Sequence, residues 1–351
     1  MSQCSLLVPT HRDGRQVRAS LAHLASFASS DIRVIIADNS ELQTKHDFLH
    51  NLARRHDNVD VHPHAANTGS TANFLFLLEQ AATSEFVQFC ADDDTLTLDS
   101  LETSLSIIRQ QPGASSVAGH LLALHLDGNC TTENQAFVED DPTTRMRSWF
   151  QPSSWNLPFY SLHRRSLIQP WINLIEGHPM VTPFFDFLFT SSLISQGTLL
   201  RHGSGAYLWR ADHWDDNARN AQARMNAYQS LGLPKQFMVF FDLHFAVEAA
   251  SFFLGKHSPV EEKSLRSSCA EAMWEPCLQR FRLTADANEN LIREWLNEFP
   301  GALMALNALY DERSQPCLEL LELFPILLEA FSVKKAKEYQ EFQTLNFALQ
   351  G

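Results

Sequence analysis

The sequence predicts an α/β fold, in which a Rossmann-type, mainly parallel sheet flanked by helices is followed by a helical C-terminal domain. Short apolar runs alternate with amphipathic segments up to about residue 130, and this alternation is typical of βαβ units. From about residue 218 onward the pattern is helical, because Glu, Leu, Ala and Gln become frequent. We therefore predict two domains, residues 1–217 and residues 218–351.

Apolar runs rich in Val, Ile, Leu and Phe predict the strands, because buried parallel strands carry apolar residues on both faces. These runs lie at residues 5–8, 32–37, 59–62 and 86–90. Apolar residues three and four positions apart predict helices between them. The helices are expected at residues 14–27, 70–82 and 98–110. Farther along, we expect strands at residues 117–126 and 198–209 and a helix at residues 183–195.

Residues 237–255 form the most apolar long stretch, yet Asp242, His244 and Glu248 interrupt it. Three ionisable groups near its centre make a membrane-spanning helix unfavourable, so we predict a buried helix and no transmembrane segment. Peripheral contact with a membrane surface stays open. His244 and Glu248 are four residues apart, and a buried hydrogen bond is a simpler interpretation of this pair than a site.

The charge and cysteine content narrow the functions that the chain can have. Its 351 residues include 41 acidic and 27 basic ones, for a formal net charge of −14. This balance argues against a nucleic-acid partner, because binding phosphates requires clustered Lys and Arg. The six cysteines are scattered without a CxxC pair, which indicates reduced thiols and a cytoplasmic location rather than a disulfide scaffold or a zinc site.

Polar clusters follow three of the predicted strands. They are THRD at residues 10–13, DNS at residues 38–40 and DDD at residues 92–94. In parallel sheets, ligands bind beyond the carboxyl ends of the strands. The convergence of these clusters therefore predicts a binding site at that edge of the sheet.

Carboxylates in two of these clusters are candidate ligands. Asp92, Asp93 and Asp94, which we call the acidic triplet, repel one another unless a cation is bound, and hard divalent cations bridge carboxylates to phosphates. The alternative is an acidic loop in which Asp94 caps the next helix. Asp38 also has two interpretations: its carboxylate accepts the imide N–H of a uracil or thymine ring, or it organises an Asx-type turn.

Residues 67–73, NTGSTAN, form a loop that leads into a helix N-terminus, where backbone N–H groups favour anions. In order and spacing, the segments SLLVPTHRD, IIADNS, NTGSTANF and FCADDDTLTLDSLE resemble the GT-A glycosyltransferases of family 2. The resemblance covers about residues 4–110 and continues more faintly to about residue 215. It implies a GT-A-like sheet and a nucleotide-sugar donor.

The resemblance also implies roles for individual residues. The first strand's Pro-Thr and the Asp after the second strand hold the base, and the acidic motif contacts the ribose and holds Mn²⁺ or Mg²⁺ on the pyrophosphate. The nucleotide-binding candidates are Pro9, Thr10, Arg12, Asp38, Asn67, Asn73 and Asp92, and the metal-binding candidates are Asp93, Asp94 and His213. Ala72 stands before Asn73 where members often carry a basic residue, so a cation facing the diphosphate is expected from Arg12 or Arg164.

The family's general base is an acidic residue at the start of a helix that follows the acceptor-site segment. Asp186 occupies a comparable place in PFFDFLFTSSLISQG, and a carboxylate there can remove the proton of an acceptor hydroxyl. An acidic residue that interacts with the helix dipole is the alternative. His213, in YLWRADHWDD, matches a histidine that completes the metal shell in some members, and a structural or solvated histidine is the alternative.

Together these features predict a metal-dependent, inverting glycosyltransferase that moves a hexose or deoxyhexose from a UDP- or dTDP-sugar to an acceptor hydroxyl. The acceptor is expected to be a glycan, a lipid-linked molecule or a protein in surface polysaccharide or glycoconjugate synthesis. A non-catalytic nucleotide-sugar-binding or partner-docking module is one alternative. A nucleotidyltransferase is another, but it would need a Gly-rich loop with a Lys, which PTHRDG does not offer. The oligomeric state stays open.

Overall fold

Strands and helices alternate along the first part of the chain. The computed structural model describes residues 3–150, 156–180, 182–211, 215–310 and 317–347. The strands are β1 (Cys4–Thr10), β2 (Ile32–Asp38), β3 (Val59–Pro63), β4 (Phe86–Phe89), β5 (Thr95–Leu96), β6 (Ala114–Leu124), β7 (Cys130–Glu133), β8 (Leu162–Arg164) and β9 (Thr198–Arg210). The helices are α1 (Arg15–Ala25), α2 (Gln43–Ala53), α3 (Ser70–Gln80), α4 (Leu98–Gln110), α5 (Pro142–Trp149), α6 (Gln169–Ile175), α7 (Phe185–Gln196), α8 (Asn217–Ser230), α9 (Phe241–Leu254), α10 (Lys263–Ala287), α11 (Glu289–Leu296), α12 (Pro300–Tyr310), α13 (Cys317–Glu329) and α14 (Val333–Phe347).

The described strands form one mixed sheet in the order β3-β2-β1-β4-β8-β6-β9-β5, with β7 beside β6. β1 is parallel to β2 and β4, and β2 is parallel to β3. This half has the predicted Rossmann-type arrangement, and the α/β fold class is confirmed. The other half adds antiparallel pairs, because β8 is antiparallel to both β4 and β6, while β6 and β9 are parallel. A three-residue strand carries too short a pattern to reveal its direction.

Two compact units divide the chain, and each contains more than one segment. The α/β unit comprises residues 1–138, 156–169 and 197–216, and the helical unit comprises residues 139–155, 170–196 and 217–351. The sequence instead predicts one division at residue 217. Buried Arg145 of α5 shows why an earlier segment joins the helical unit, since it donates to the carbonyl oxygens of Ile194 and Ser195 at the end of α7.

In the α/β unit, β1 and β2 are buried on both faces. Leu6, Val8 and Val34 are fully buried in a core that also contains Leu21 and Leu24 of α1. Leu7 and Ile35, on the opposite face, are also fully buried. Burying apolar side chains on both faces holds the strands in place, so the loops that follow them start from fixed positions.

In the helical unit, α9 is the central buried element, and Leu243, His244 and Glu248 in it have no exposed surface. Within the described residues, Lys235–Leu254 is the segment long and apolar enough to cross a membrane, by length and composition. However, 72% of its most apolar window is buried inside the protein. The predicted buried helix is therefore confirmed.

Candidate functional site

The carboxyl ends of β1 and β4 meet through Asp92. The Thr10 hydroxyl donates to Asp92 Oδ2 over 2.6 Å, and the backbone N–H of His11 donates to the same oxygen over 3.3 Å. Thr10 and Asp92 are both 3% exposed. The structure thus brings together two residues that the sequence assigns to the nucleotide site.

Arg12 is the cation at this edge. Its Nη2 lies 3.0 Å from Asp92 Oδ1 and 2.7 Å from Asp93 Oδ1. Burial acts to lower the pKa of Arg12, but these two carboxylates outweigh burial and raise it. The Arg12 side chain keeps 46% of its surface exposed, so its positive charge is held beside the acidic triplet and remains accessible from solvent.

Asp94 is enclosed by β9. It accepts hydrogen bonds from the hydroxyl of Tyr207 and, over 2.8 Å, from the backbone N–H of Arg210. Burial, together with the charge of Asp93, raises the pKa of Asp94 to about 7. The alternative in which Asp94 caps the next helix is wrong, because α4 begins after Thr97 and Asp94 bonds instead to β9.

Asp38, opposite Thr10 in the parallel register of β1 and β2, is fully buried and accepts hydrogen bonds at both oxygens. Oδ1 accepts from Lys45 Nζ over 2.8 Å and from the Ser40 N–H over 3.1 Å, and Oδ2 accepts from the Ser40 hydroxyl over 2.7 Å. His46 Nε2 lies 3.4 Å from Oδ2. The Asx-type turn is therefore formed, and the contact of Asp38 with a base stays a prediction.

The loop that contains Asn67 is tied to β2 through Asn39. The Asn39 amide donates to the Gly69 carbonyl, and its oxygen accepts from the Thr68 N–H over 3.3 Å. Asn67 itself is exposed and accepts from the Gly69 N–H over 2.9 Å. The geometry makes Asn39 an organiser of the loop, a role that sequence reasoning missed.

Asn73 and Pro9 lie inside the framework of the site. Asn73 is 3% exposed, and its amide donates to the Ala37 carbonyl while its oxygen lies 3.0 Å from His64 Nε2. Pro9 lies in β1 opposite Ala37. The hydrogen bond of Asn73 holds the end of β2 in place, and contact of either residue with a nucleotide stays a prediction.

Comparison with known proteins shows which sequence family the chain resembles. The sequence profile described as glycosyl transferase family 2 matches residues 5–170. Residues 5–170 therefore have the sequence pattern of glycosyltransferase family 2. No curated protein sequence matches the chain.

Solved structures with the same fold include S. aureus TarS 1–349, which has 12% sequence identity with this chain. The match covers 98% of this chain and 90% of that one, with a TM-score of 0.52. The crystal structure of the same TarS segment in complex with UDP-GlcNAc matches with equal identity and coverage and a TM-score of 0.50. At this identity the likeness concerns the fold, and it confirms the GT-A-like fold class.

The matched family implies a divalent cation, and the acidic triplet has suitable chemistry for one. Its donor atoms are all carboxylate oxygens, which Mg²⁺ and Mn²⁺ prefer. The contacts of Asp94 with Tyr207 and Arg210 use two of its about four lone-pair positions. Within the part of the chain that the structure describes, no group of three or more His, Cys, Asp or Glu side chains is arranged around a metal position. His213 lies outside the described residues.

Two further candidates belong to other elements of the fold. Arg164 pairs with Phe86 at the amino end of β4 and donates to the Ile108 carbonyl, so the expectation that it faces the diphosphate is wrong. Asp186 lies half-buried in the first turn of α7, in the helical unit. Its role as general base stays a prediction.

Sequence reasoning also missed Lys45, because it missed α2. Lys45, Leu49 and Leu52 are the buried residues of this helix, and their spacing of four and three is a helical stripe with lysine in an apolar position. A lysine at a position where the helical pattern requires an apolar residue is the signal from which a buried, paired lysine could have been inferred.

Proposed function

We propose that this chain is a family 2 glycosyltransferase, which transfers a hexose or deoxyhexose from a UDP- or dTDP-sugar to an acceptor hydroxyl. The observation that carries the proposal is the convergence of Thr10, Arg12, Asp92 and Asp93 at the carboxyl ends of β1 and β4. Ligands of parallel sheets bind at this edge. The binding of UDP-GlcNAc by TarS, which has the same fold, supports a nucleotide-sugar donor.

In this proposal the two charge types at the site have separate tasks. Asp92 contacts the ribose, and Asp93 with Asp94 would hold Mn²⁺ or Mg²⁺, which when bound supplies positive charge to the leaving diphosphate. Arg12 supplies a further positive charge from the protein itself. His213 is the candidate for a third protein ligand of this metal.

We assign the general base to Asp186. The acceptor oxygen attacks the anomeric carbon as the bond from that carbon to the diphosphate breaks, and the hydroxyl proton passes to the Asp186 carboxylate. Direct displacement of this kind inverts the configuration. We place the reaction in the cytoplasm, on the basis of the cysteine content, and in the synthesis of a surface polysaccharide or another glycoconjugate.

A thermal-shift panel of UDP-, dTDP-, GDP- and CDP-sugars, each with and without Mn²⁺, tests the donor. A ligand that binds the native state raises the melting temperature, so we expect the largest rise with a UDP- or dTDP-sugar plus Mn²⁺. Asp93→Ala should remove the increment due to Mn²⁺ and leave the melting temperature of the unliganded protein unchanged. Stabilisation by GDP- or CDP-sugars alone would contradict the donor assignment, and binding without any turnover would indicate a binding module.

A further inference from the structure

A lysine without any exposed surface lies behind the candidate nucleotide site. The ammonium of Lys45, on α2, donates to the Thr10 hydroxyl over 2.7 Å, to the Arg12 carbonyl over 2.5 Å and to Asp38 Oδ1 over 2.8 Å. Its side chain and that of Asp38 are 0% exposed. An ammonium has three donors, so all the hydrogen-bonding capacity of Lys45 is used on residues 10, 12 and 38.

The hydrogen-bond directions link Lys45 to the acidic triplet. An ammonium can only donate, so the Thr10 hydroxyl accepts from Lys45 and its own hydrogen points to Asp92 Oδ2, 2.6 Å away. Thr10 also lies opposite Asp38 in the register of β1 and β2. One buried cation therefore determines how the ends of β1 and β2 are held and, through one hydroxyl, how Asp92 is oriented.

Packing of the fold does not require a charge at this position. Leu49 and Leu52 fill the other buried positions of α2, and replacing buried ion pairs with well-packed apolar residues is often neutral or stabilising. The buried pair of Lys45 and Asp38 is consistent instead with a requirement that the polar side chains around it keep fixed positions. The pair contacts Thr10 and the Arg12 carbonyl, and the proposed function places both of these residues at the nucleotide site.

We propose that Lys45 is a positioning residue of the nucleotide site. It holds Thr10 and Asp38 in register and, through the Thr10 hydroxyl, aims the Asp92 carboxylate at the ribose. Because Lys45 is fully buried, it acts through these partners and touches no substrate. The proposal rests on the proposed function, in which a nucleotide binds at this edge of the sheet.

The test compares Asp38→Asn with the double variant Asp38→Asn/Lys45→Met. Removing both charges avoids leaving an unpaired buried ion, so the double variant keeps its fold. Calorimetric titration with UDP up to millimolar concentration should show about tenfold weaker binding to the double variant than to Asp38→Asn, a size typical of residues in one network. Equal UDP affinity in the two variants would overturn the proposal.

Arg145→Met is the matched control, because Arg145 is a buried cation that donates to backbone carbonyls in the helical unit. It should lower the melting temperature and leave UDP affinity unchanged. If Lys45 had a merely structural role, the double variant would likewise have a lower melting temperature and unchanged UDP affinity. That result would overturn the proposal.

Hydrogen exchange without nucleotide provides a second measurement. Amides of residues 90–95, which Lys45 does not contact directly, should exchange faster in the double variant than in Asp38→Asn, and unchanged exchange would overturn the positioning role. If wild-type protein binds no UDP, the proposed function fails, while the exchange rates still decide whether Lys45 orients Asp92.

Discussion

Two buried charge clusters, one in each unit, show how similar chemistry can be arranged for different purposes. The strand-end cluster contains Asp38, Lys45, Thr10 and Asp92, and it continues to half-exposed Arg12. The helix cluster surrounds Glu248 in α9. Both clusters place carboxylates without exposed surface in hydrogen-bonding networks. They differ in whether the network continues to a solvent-exposed side chain.

The helix cluster is closed. Glu248 Oε1 lies 3.0 Å from His244 Nε2 and accepts from the Tyr339 hydroxyl over 3.0 Å, while Oε2 lies 2.6 Å from His178 Nε2. Burial acts to raise the pKa of Glu248, but His178 and His244 outweigh it and lower the pKa to about 2. The predicted hydrogen bond between His244 and Glu248 is confirmed.

Aromatic rings enclose the helix cluster. Phe324 stacks on His244 at 5.3 Å, and Phe342 contacts the His178 ring at 4.2 Å. The strand-end cluster instead leads to an accessible guanidinium at the sheet edge where ligands bind. We therefore expect ligand binding at the strand-end cluster and a stabilising role for the helix cluster, and the following predictions test that division.

The largest effect is expected for Asp186, which lies in the helical unit. A role of Asp186 in catalysis would show that the helical unit contributes to the reaction as well as to stability. Asp186→Asn is nearly isosteric but cannot accept a proton, so transfer should fall by about 10²–10⁴-fold, with UDP affinity and melting temperature unchanged. Steady-state kinetics measures the rate of transfer, calorimetric titration measures the UDP affinity, and thermal unfolding measures the melting temperature. Asp242→Asn is the matched control, since Asp242 also lies in the first turn of a helix. Equal rates in wild type and Asp186→Asn would remove Asp186 from the chemistry.

Glu248→Gln should destabilise the protein by about 3 kcal/mol at pH 7, since it removes the charged partner of a buried network, and leave UDP affinity unchanged. The folded-state pKa of Glu248 lies below the ordinary 4.5, so its stabilisation is present above pH 4.5 and is lost as pH falls toward 2. Urea unfolding at several pH values should show this loss in wild type alone. Glu338→Gln, at a partly exposed ion pair, is the control with a change below about 1 kcal/mol.

Asp38→Ala should weaken UDP binding by about 1.5–3 kcal/mol, the scale for losing a hydrogen bond with a charged group. It should also lower stability, because it leaves Lys45 buried without its carboxylate. Calorimetry with UDP measures the first effect and urea unfolding the second. Asp60→Ala, which removes a partly exposed ion pair with Arg33, should leave UDP affinity unchanged. A stability loss with wild-type UDP affinity would make Asp38 a structural residue like Glu248.

The smallest effect is expected for Arg12→Gln. Since nearly half of the Arg12 side chain is exposed, its interaction with a diphosphate is screened by solvent, and UDP affinity should fall by about 1 kcal/mol. The fall should shrink as salt concentration rises. Arg18→Gln, which removes a neighbouring ion pair with Asp13, is the control. Equal effects of the two variants would show a general charge effect and separate Arg12 from the site.

Much of the fold followed from periodicity. The starts of β2, β3, β4 and α4 lie at the predicted residues. Buried parallel strands and amphipathic helices can be predicted in this way because their buried positions carry apolar residues in a regular pattern. α2 was missed because Lys45 interrupts its apolar stripe. β5, with two residues, and β8, with three, are too short to show a period.

The sequence by itself determined that Thr10, Asp38 and the acidic triplet follow buried strands, and the rules of parallel sheets then placed them at one edge. Only the tertiary structure decided their partners. Lys45 reaches Thr10 and Asp38 from a separate helix, and Tyr207 reaches Asp94 from β9. The reason is physical: strand periodicity is a local property of the chain, whereas a hydrogen bond depends on placing atoms from distant segments within about 3 Å of each other.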